Sequence, residues 1–408
     1  MQLVLAMPWL LLLAVVPLLL MRRTRISAYP PPAAGAAPKV SVIVPARNEA
    51  SSIGACLASL LNSVYPDTEI VVVDDNSADG TADIVRILAE HSKGQLRMVE
   101  GAPLPAGWLG KPWACWQGYQ EARGELLLFT DADTRHDDAL LGHAVGALQA
   151  RGADMLSVLP RQLMQTFWER LIQPQIFMIL TMRYHNLERI SRTRNPRDVL
   201  ANGQFILVRR EAYEATGGHE ALRGEVVEDV RLAQRMVEAG RRIFVAHGVD
   251  LMETRMYRSL AGLVEGWSKN LARGSRHAAP PLIAPAVPWL IALFIAVIWV
   301  LPPVMLVAAL FTPYAGAALG WSFTATAASL VLWAVVLGRM RVPLPYAAGY
   351  PLGAVVAAGL FIRSAVRGSR IEWKGRRYDI SADSSRDGIQ TSSSGIRTSS
   401  SGVPPHGP

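Results

Sequence analysis

The chain has 408 residues, 50% of them hydrophobic and 18% charged, with a formal net charge of +8 at pH 7. That composition favours one catalytic-sized domain with membrane segments attached, because the apolar excess is concentrated in a few runs rather than spread. The positive charge requires no nucleic acid: clusters at Arg22 to Arg25, Arg339 to Arg341 and Arg363 to Arg377 flank apolar segments, where anionic lipid headgroups are the simpler partner.

From the amino terminus, Leu3 to Leu20 is uncharged and apolar, and Arg22, Arg23 and Arg25 follow it at once. A signal peptide carries its positive charge before the apolar run, so this order predicts an uncleaved anchor with its amino terminus outside. The positive-inside rule then places the long polar region after it in the cytoplasm, on the inner face of a multi-pass cell membrane protein. Cys56 and Cys115 lie in helix-like contexts without metal-ligand spacing, in keeping with a reducing compartment.

Tyr29 to Pro38 is rich in Pro and Ala and reads as a semi-rigid spacer. Val40 to Val44 is a β-branched run bounded by Pro45, and Ser51 to Leu61 follows with helical apolar spacing. Ile70 to Val73 is a second buried strand ending in Asp74 and Asp75, with Asp79 and Gly80 as a turn before a helix over Thr81 to His91. Leu96 to Val99, Glu125 to Thr130 and Met155 to Leu159 supply further strands, and such alternation predicts an α/β domain on a parallel sheet.

Leu163 to Tyr184 fits either an amphipathic helix on the headgroups or a core helix, and Arg255 to Arg276 offers a second basic face. The apolar runs Val287 to Phe311, Ala317 to Leu337 and Leu344 to Ile362 are each near the ~20 residues that span a bilayer. Three spans would leave Arg367, Arg370, Lys374, Arg376 and Arg377 outside, so an even number of crossings is favoured here. Either the last segment, with Pro343, Pro345 and Pro351, is re-entrant or interfacial, or the first hairpin is broken at Pro302 and Pro303. The expected organisation is an anchor over 1–22, a linker over 23–38, a cytoplasmic domain over 39–285, membrane segments over 286–366, a basic juxtamembrane segment over 367–380 and a disordered tail over 381–408.

The chemistry concentrates in acids. The turn after the first strand is Pro45-Ala46-Arg47-Asn48-Glu49, without the glycines of a dinucleotide site, and a Walker-type loop is missing too. Instead two strands end in carboxylates, Asp74-Asp75 and Asp131-Ala132-Asp133, at the edge where open α/β sheets hold ligands. Hard oxygen ligands there suit a divalent cation carrying phosphates. Glu228 and Asp229 fall near the start of a helix over Val230 to Ala239. Pairing with the helix dipole, worth about 0.3 to 1 kcal/mol each, is enough to explain them alone. Beside a nucleotide-phosphate site, a carboxylate on a separate element serves as a general base.

Taken in order, Val44 to Glu49, Val72 to Ser77 with Asp79-Gly80-Thr81, Asp131-Ala132-Asp133 and Glu228-Asp229 resemble the motifs of family 2 glycosyltransferases over roughly Lys39 to Arg276. The resemblance implies a GT-A fold, a mixed sheet flanked by helices, and metal-dependent inverting transfer from a nucleotide sugar, usually a UDP-sugar, with Mg2+ or Mn2+. Asp74 or Asp75 would hold uracil and ribose, with Pro45, Arg47 and Glu49 enclosing the nucleotide. Asp131 would hold the donor ribose or sugar, Asp133 the metal, and Asp229 would be the base. Lys111 would touch phosphate, although Gln117 stands where an Asn is more usual, and Trp108, Trp113 and Trp116 are open to stacking or to packing. Gly203, Gln204 and Glu228 match the acceptor side, with Gly203 letting backbone approach a ligand. Processive synthases carry Gln-x-x-Arg-Trp where this chain reads Glu265 to Leu271, leaving Trp267 and Lys269 for related roles. Together with the tail Ile371 to Tyr378, that departure resembles hopene-associated, carotenoid-type and ceramide lipid glycosyltransferases. The implied acceptor is a membrane lipid of isoprenoid, carotenoid or sphingolipid type. A processive polysaccharide synthase and a non-catalytic nucleotide-binding homologue are the alternatives.

Overall fold

The computed structural model describes residues 2–379 apart from 22–23, 34, 312–314, 369 and 374–375, so the tail expected to be disordered lies outside the described residues. In chain order the elements are α1 (Gln2–Met21), β1 (Val40–Ala46), α2 (Ile53–Leu61), β2 (Thr68–Asp74), α3 (Thr81–His91), β3 (Leu96–Glu100), α4 (Gly110–Glu121), β4 (Leu126–Phe129), β5 (Thr134–His136) and α5 (Leu140–Ala150). There follow β6 (Met155–Leu159), β7 (Arg161–Gln162), α6 (Phe167–Arg183), α7 (Leu187–Ser191), β8 (Ile206–Arg209), α8 (Arg210–Ala215), α9 (Glu228–Glu238), β9 (Ile243–His247), β10 (Met252–Thr254) and α10 (Leu260–His277). The carboxyl-terminal part holds α11 (Val287–Ile295), α12 (Leu301–Phe311), α13 (Ala315–Arg339), α14 (Tyr350–Arg367), β11 (Arg370–Trp373) and β12 (Arg376–Asp379).

Seven strands form the central sheet in the order β3-β2-β1-β4-β8-β6-β9. β3, β2, β1 and β4 pair in parallel, as alternation predicts, but β8 pairs antiparallel with both β4 and β6. The sheet is therefore mixed, and the reversed strand has a purpose in the geometry. Because β8 enters at the edge where β4 ends, the residues just before it, Gly203 and Gln204, arrive beside Lys111 and Thr130. A small sheet, β5-β10-β7, stands over the same edge.

The proline-rich linker is not a spacer. Ile26 is buried in the main core, Tyr29 stacks edge-on with Phe244 at 5.5 Å, and Arg25 pairs with Asp250 at 2.7 Å rather than being left to headgroups. Gly142 and Gly146 of α5 explain the fit: a Cβ on Gly146 would lie 1.8 Å from the Pro30 carbonyl oxygen, so only glycine admits the linker there.

Val287–Phe311, Ala318–Arg339 and Leu344–Arg367 are each long and apolar enough to cross a membrane. The first runs straight through Pro302 and Pro303 as one helix, so the chain does not break there. A π-helical turn over Ala296–Val300 precedes the prolines and relieves the clash they would cause in a regular helix. Ile298 would normally accept from the N–H of residue 302, or from 303 in π geometry, and proline offers neither. Trp9 of α1 supplies the missing donor, its Nε1–H reaching the Ile298 carbonyl at 2.6 Å.

α6 and α14 meet along a glycine face. α6 starts on a capping box in which Thr166 and Glu169 satisfy each other's backbone N–H, and Glu169 is locked by Arg255 at 2.9 Å. Its Leu171, Ile172 and Ile176 are buried in one apolar cluster with Trp267, Leu332, Trp333 and Tyr350, so α6 joins the domain to the apolar helices. Gly353 brings α14 so close that a Cβ would lie 2.5 Å from the Leu171 carbonyl oxygen. At its other end, Ser364 Oγ accepts the Ala272 N–H of α10 at 2.9 Å. α14 also packs on α11, so it lies between α6 and α10 on one side and the apolar helices on the other.

Candidate active site

β1, β2 and β4 end side by side, and the acids stand on those ends because each buried apolar run can stop only where the sheet meets solvent. Ser77 N–H donates to Asp74 Oδ2 at 3.2 Å, and the Asp75 N–H is held by the Ala46 carbonyl at 2.8 Å. Arg47 donates to the carbonyls of Asp75 and Asn76, fixing that turn. Pro45 lies within β1 opposite Val73, and Glu49 lies in the turn before α2, its carboxylate accepting from the Ser52 hydroxyl. Asn48 and Asn76 adopt left-handed backbone, with φ of 51° and 53°, which lets the two turns lock together.

Around Asp131 the structure builds a tight ionic cluster. Lys111, at the start of α4, places Nζ 2.7 Å from Asp131 Oδ1 and 2.8 Å from Glu228 Oε1. Burial opposes the charge on Lys111, yet Asp131 and Glu228 hold its amine well above the ordinary lysine value. Glu228 is likewise kept ionised by Lys111 in spite of its burial. Asp229 stands next to them at the head of α9, where the Gly203 N–H donates to Oδ2 at 2.8 Å and the Val230 N–H to Oδ1 at 2.8 Å. Burial and the neighbouring Glu228 push the Asp229 carboxyl up to about 6. A carboxylate so tuned is mostly ionised at neutral pH and still basic enough to take a proton.

Gly203 therefore makes room inside the protein. A Cβ on it would lie 2.9 Å from Lys111 Nζ and 3.5 Å from Asp229 Oδ2. Gln204 is buried, bridges Asn202 at 2.9 Å and Gln162 at 3.1 Å, and donates weakly to Thr254 at 3.4 Å. Thr254 Oγ1 in turn lies 3.4 Å from Asp133 Oδ1, so Gln204 reaches the acids through the small sheet. Beneath the turn, Thr134 Oγ1 donates to the Asp131 carbonyl at 2.8 Å and meets His136 Nε2 at 3.0 Å. Burial pulls His136 down to about 3, so it is a neutral structural histidine.

Other expected residues have structural surroundings. Trp267 is buried on α10, 5.8 Å from Phe177 and 5.9 Å from Tyr257 between ring centroids. Trp108, Trp113 and Trp116 pack on one another, at 5.0 and 6.3 Å from Trp108. Gln117 braces the loop after β3 by accepting the Ala102 N–H at 2.7 Å. Cys56 and Cys115 are free and buried. Lys269 is the residue that pattern reading undervalued: burial lowers it to about 8 while Glu228, Asp131 and Asp229 draw its charge toward the cluster. Its position on α10, one turn of helix beyond Glu265, was the available signal.

Among the described residues no group of three or more His, Cys, Asp or Glu forms a metal cage. Asp133 nevertheless offers a hard oxygen, and a cation that keeps most of its shell from water and phosphates needs few protein ligands, so the donor set fits Mg2+ or Mn2+. Nearby, a cavity of about 510 Å3 is lined by Arg223, Glu225, Arg273, Arg276 and His277, where the loop before Glu228 faces the end of α10.

The sequence model of glycosyl transferase family 2 matches residues 41–217, from β1 to just past α8. Residues 41–217 are a family 2 glycosyltransferase domain. Over 258 residues the chain is 31% identical to the 4,4'-diaponeurosporenoate glycosyltransferase of Staphylococcus aureus strain MRSA252, covering 62% of this chain and 65% of that protein. The same-named protein of strain USA300 is 29% identical over 256 residues, with the same coverage. The match thus spans just under two thirds of these relatives. Among solved structures, the mannosyltransferase PcManGT from Pyrobaculum calidifontis, in complex with GDP-Man and Mn2+, aligns with a TM-score of 0.52 at 22% identity, covering 90% of this chain and 98% of that one. That likeness shows the fold: the glycosyltransferase domain is of GT-A type, with apolar helices packed against it.

Proposed function

We propose that this chain is a membrane-bound inverting glycosyltransferase that moves a hexose from a nucleoside diphosphate sugar to a lipid acceptor. The observation that carries the reading is Asp229, a buried carboxyl pushed up to about 6 beside the Lys111, Asp131 and Glu228 cluster. Donor binding falls to Asp74, Asp75 and Asp131, with Pro45, Arg47 and Glu49 framing the nucleotide turn. Asp133 holds the divalent cation, which when bound neutralises charge on the diphosphate leaving group. Lys111 and Lys269 set positive charge beside the same place.

In the transfer, Asp229 takes the proton of an acceptor hydroxyl as its oxygen attacks the anomeric carbon. The bond to the diphosphate breaks on the opposite face, and the configuration inverts. Gly203 orients Asp229 through its N–H, and Glu228 and Gln204 shape the acceptor side. An acceptor carboxylate arrives already ionised and needs positioning alone, so the loss on removing Asp229 separates the two acceptor chemistries.

The relatives' named substrate supports an isoprenoid acceptor, and the apolar helices support a membrane-resident one. The domain layout follows the sequence reading, with 1–22 as anchor, 39–285 as a cytoplasmic domain and 286–366 in or on the bilayer. α14 lying along the domain leaves two crossings in the carboxyl-terminal region, which returns the basic segment 367–380 to the cytoplasmic side of the cell membrane.

Membranes containing the chain, given radiolabelled UDP-glucose or GDP-mannose with total lipid extract, test this. Label in one discrete lipid product, lost with EDTA and restored by Mn2+, is the expected outcome. Label in long polymer, or no transfer to lipid from any hexose nucleotide, rejects it.

A further inference from the structure

The hairpin after α14 returns to the donor side of the domain. Gly368, with φ of 58°, turns the chain, and its carbonyl is held by the Arg273 guanidinium of α10 at 3.2 Å. β11 and β12 then pair antiparallel, with Trp373 opposite Arg376. This places Arg376 Nη1 2.5 Å from Asp75 Oδ2, across 301 residues of sequence. A basic segment expected to face lipid headgroups thus sends one of its arginines to the acidic end of β2.

Asp75 is 2% exposed, and Arg376 engages only one of its oxygens. Its Oδ1 is buried and has no hydrogen-bond partner among the described residues, and the same is true of Asp74 Oδ1. Buried acceptors left without donors are rare in native proteins and call for a specific reason. Buried carboxylate oxygens on two successive residues, each still able to accept, match in chemistry the N–H of a nucleobase imide or amide and the hydroxyls of a ribose. A buried carboxylate alone would tend to take up a proton and become a donor. Burial holds the Asp75 carboxyl above its ordinary value, and the Arg376 guanidinium opposes that rise and fixes the rotamer, favouring the ionised, accepting form.

We propose that the carboxyl-terminal hairpin is a wall of the nucleoside subsite and that Arg376 is a positioning residue for Asp75. The inference rests on the donor-site reading given above. It makes the segment beyond the apolar helices part of the transferase, anchored through Arg273 to the helix that also carries Lys269.

The test uses the full chain in detergent or nanodiscs, with UDP and GDP as binding probes and donor kinetics on lipid extract. Arg376→Ala should weaken binding of the preferred nucleotide, and raise donor KM, by about tenfold, as loss of a charge-assisted contact does. The maximal rate and the acceptor KM should change by less than about threefold, since Arg376 does not touch the reacting atoms. Arg376→Lys should recover part of the affinity, and adding Arg376→Ala to Asp75→Asn should lose no more than Asp75→Asn alone. Unchanged or tighter nucleotide binding by Arg376→Ala, at an unchanged melting temperature, overturns the inference. Should Arg376→Ala fail to fold, Arg376→Lys and Arg376→Gln carry the same comparison. Wild-type protein that binds neither nucleotide rejects the donor reading itself, which separates the two failures.

Discussion

Lys111 Nζ lies 2.7 Å from Asp131 Oδ1, so the first acid of the Asp131-x-Asp133 pair is already ion-paired within the protein, through an amine it shares with Glu228. The same amine lowers the Asp229 carboxyl, which burial and Glu228 push up to about 6. Turnover that needs ionised Asp229 should fall as pH drops through about 6, approaching tenfold per unit below it. In Lys111→Met the cation that favours ionised Asp229 is gone, so the acidic limb of the pH–rate profile should move to higher pH. A limb that stays in place would separate Asp229 from the rate-limiting proton transfer.

On the proposed function, Asp133 and Asp229 divide binding from turnover. Asp133→Asn should weaken metal and nucleotide binding together, read by calorimetry with Mn2+ and UDP. Asp229→Asn should bind UDP nearly as wild type and lose about 10²-fold or more in turnover with a hydroxyl acceptor. Equal loss of UDP affinity in both variants would remove Asp229 from the role of base.

Gly203→Ala puts a Cβ 2.9 Å from the Lys111 amine, the movable end of a long side chain. The fold can accommodate that by shifting the amine, so the melting temperature should stay within a few degrees. The shift pulls Lys111 from Asp131 and Glu228, so turnover should drop by about tenfold or more, as small misplacements of catalytic groups do. A variant that loses stability and activity in proportion would point to backbone damage instead.

Trp9→Phe removes the donor that satisfies the Ile298 carbonyl above Pro302 and Pro303. An orphaned carbonyl in that setting should cost about 1–3 kcal/mol, seen as a lower melting temperature in detergent. Replacing Pro302 with Ala restores an N–H four residues beyond Ile298, so Trp9→Phe should cost less in that background. Equal cost in both backgrounds would mean the indole acts through packing alone.

The parallel half of the sheet was legible because β-branched runs ending in acids are a local pattern, and the Thr81–His91 and Met155–Leu159 elements coincide with α3 and β6. β8 was not: Ile206 to Arg209 is a short run whose reversed direction depends on its partners β4 and β6 rather than on its own residues. The small sheet, built from strands of two or three residues, escaped for the same reason. The acids of the site could be named from strand ends, but their mutual arrangement could not. Lys111 between Asp131 and Glu228, or Arg376 on Asp75, joins residues remote in sequence, and no periodicity records such pairs. The linker was misread because its composition signals stiffness, whereas its docking depends on Gly142 and Gly146 in another element.

The close seat of Gly353 on Leu171, and of Ser364 on Ala272, has a mechanical consequence. The catalytic head is bolted along its underside and has little freedom to swing on a tether, so the height of Asp229 relative to the apolar helices is set by helix packing. On the proposed function, an acceptor carried by the bilayer must therefore present its reacting oxygen at that one level, which makes reach a filter on substrates independent of pocket shape.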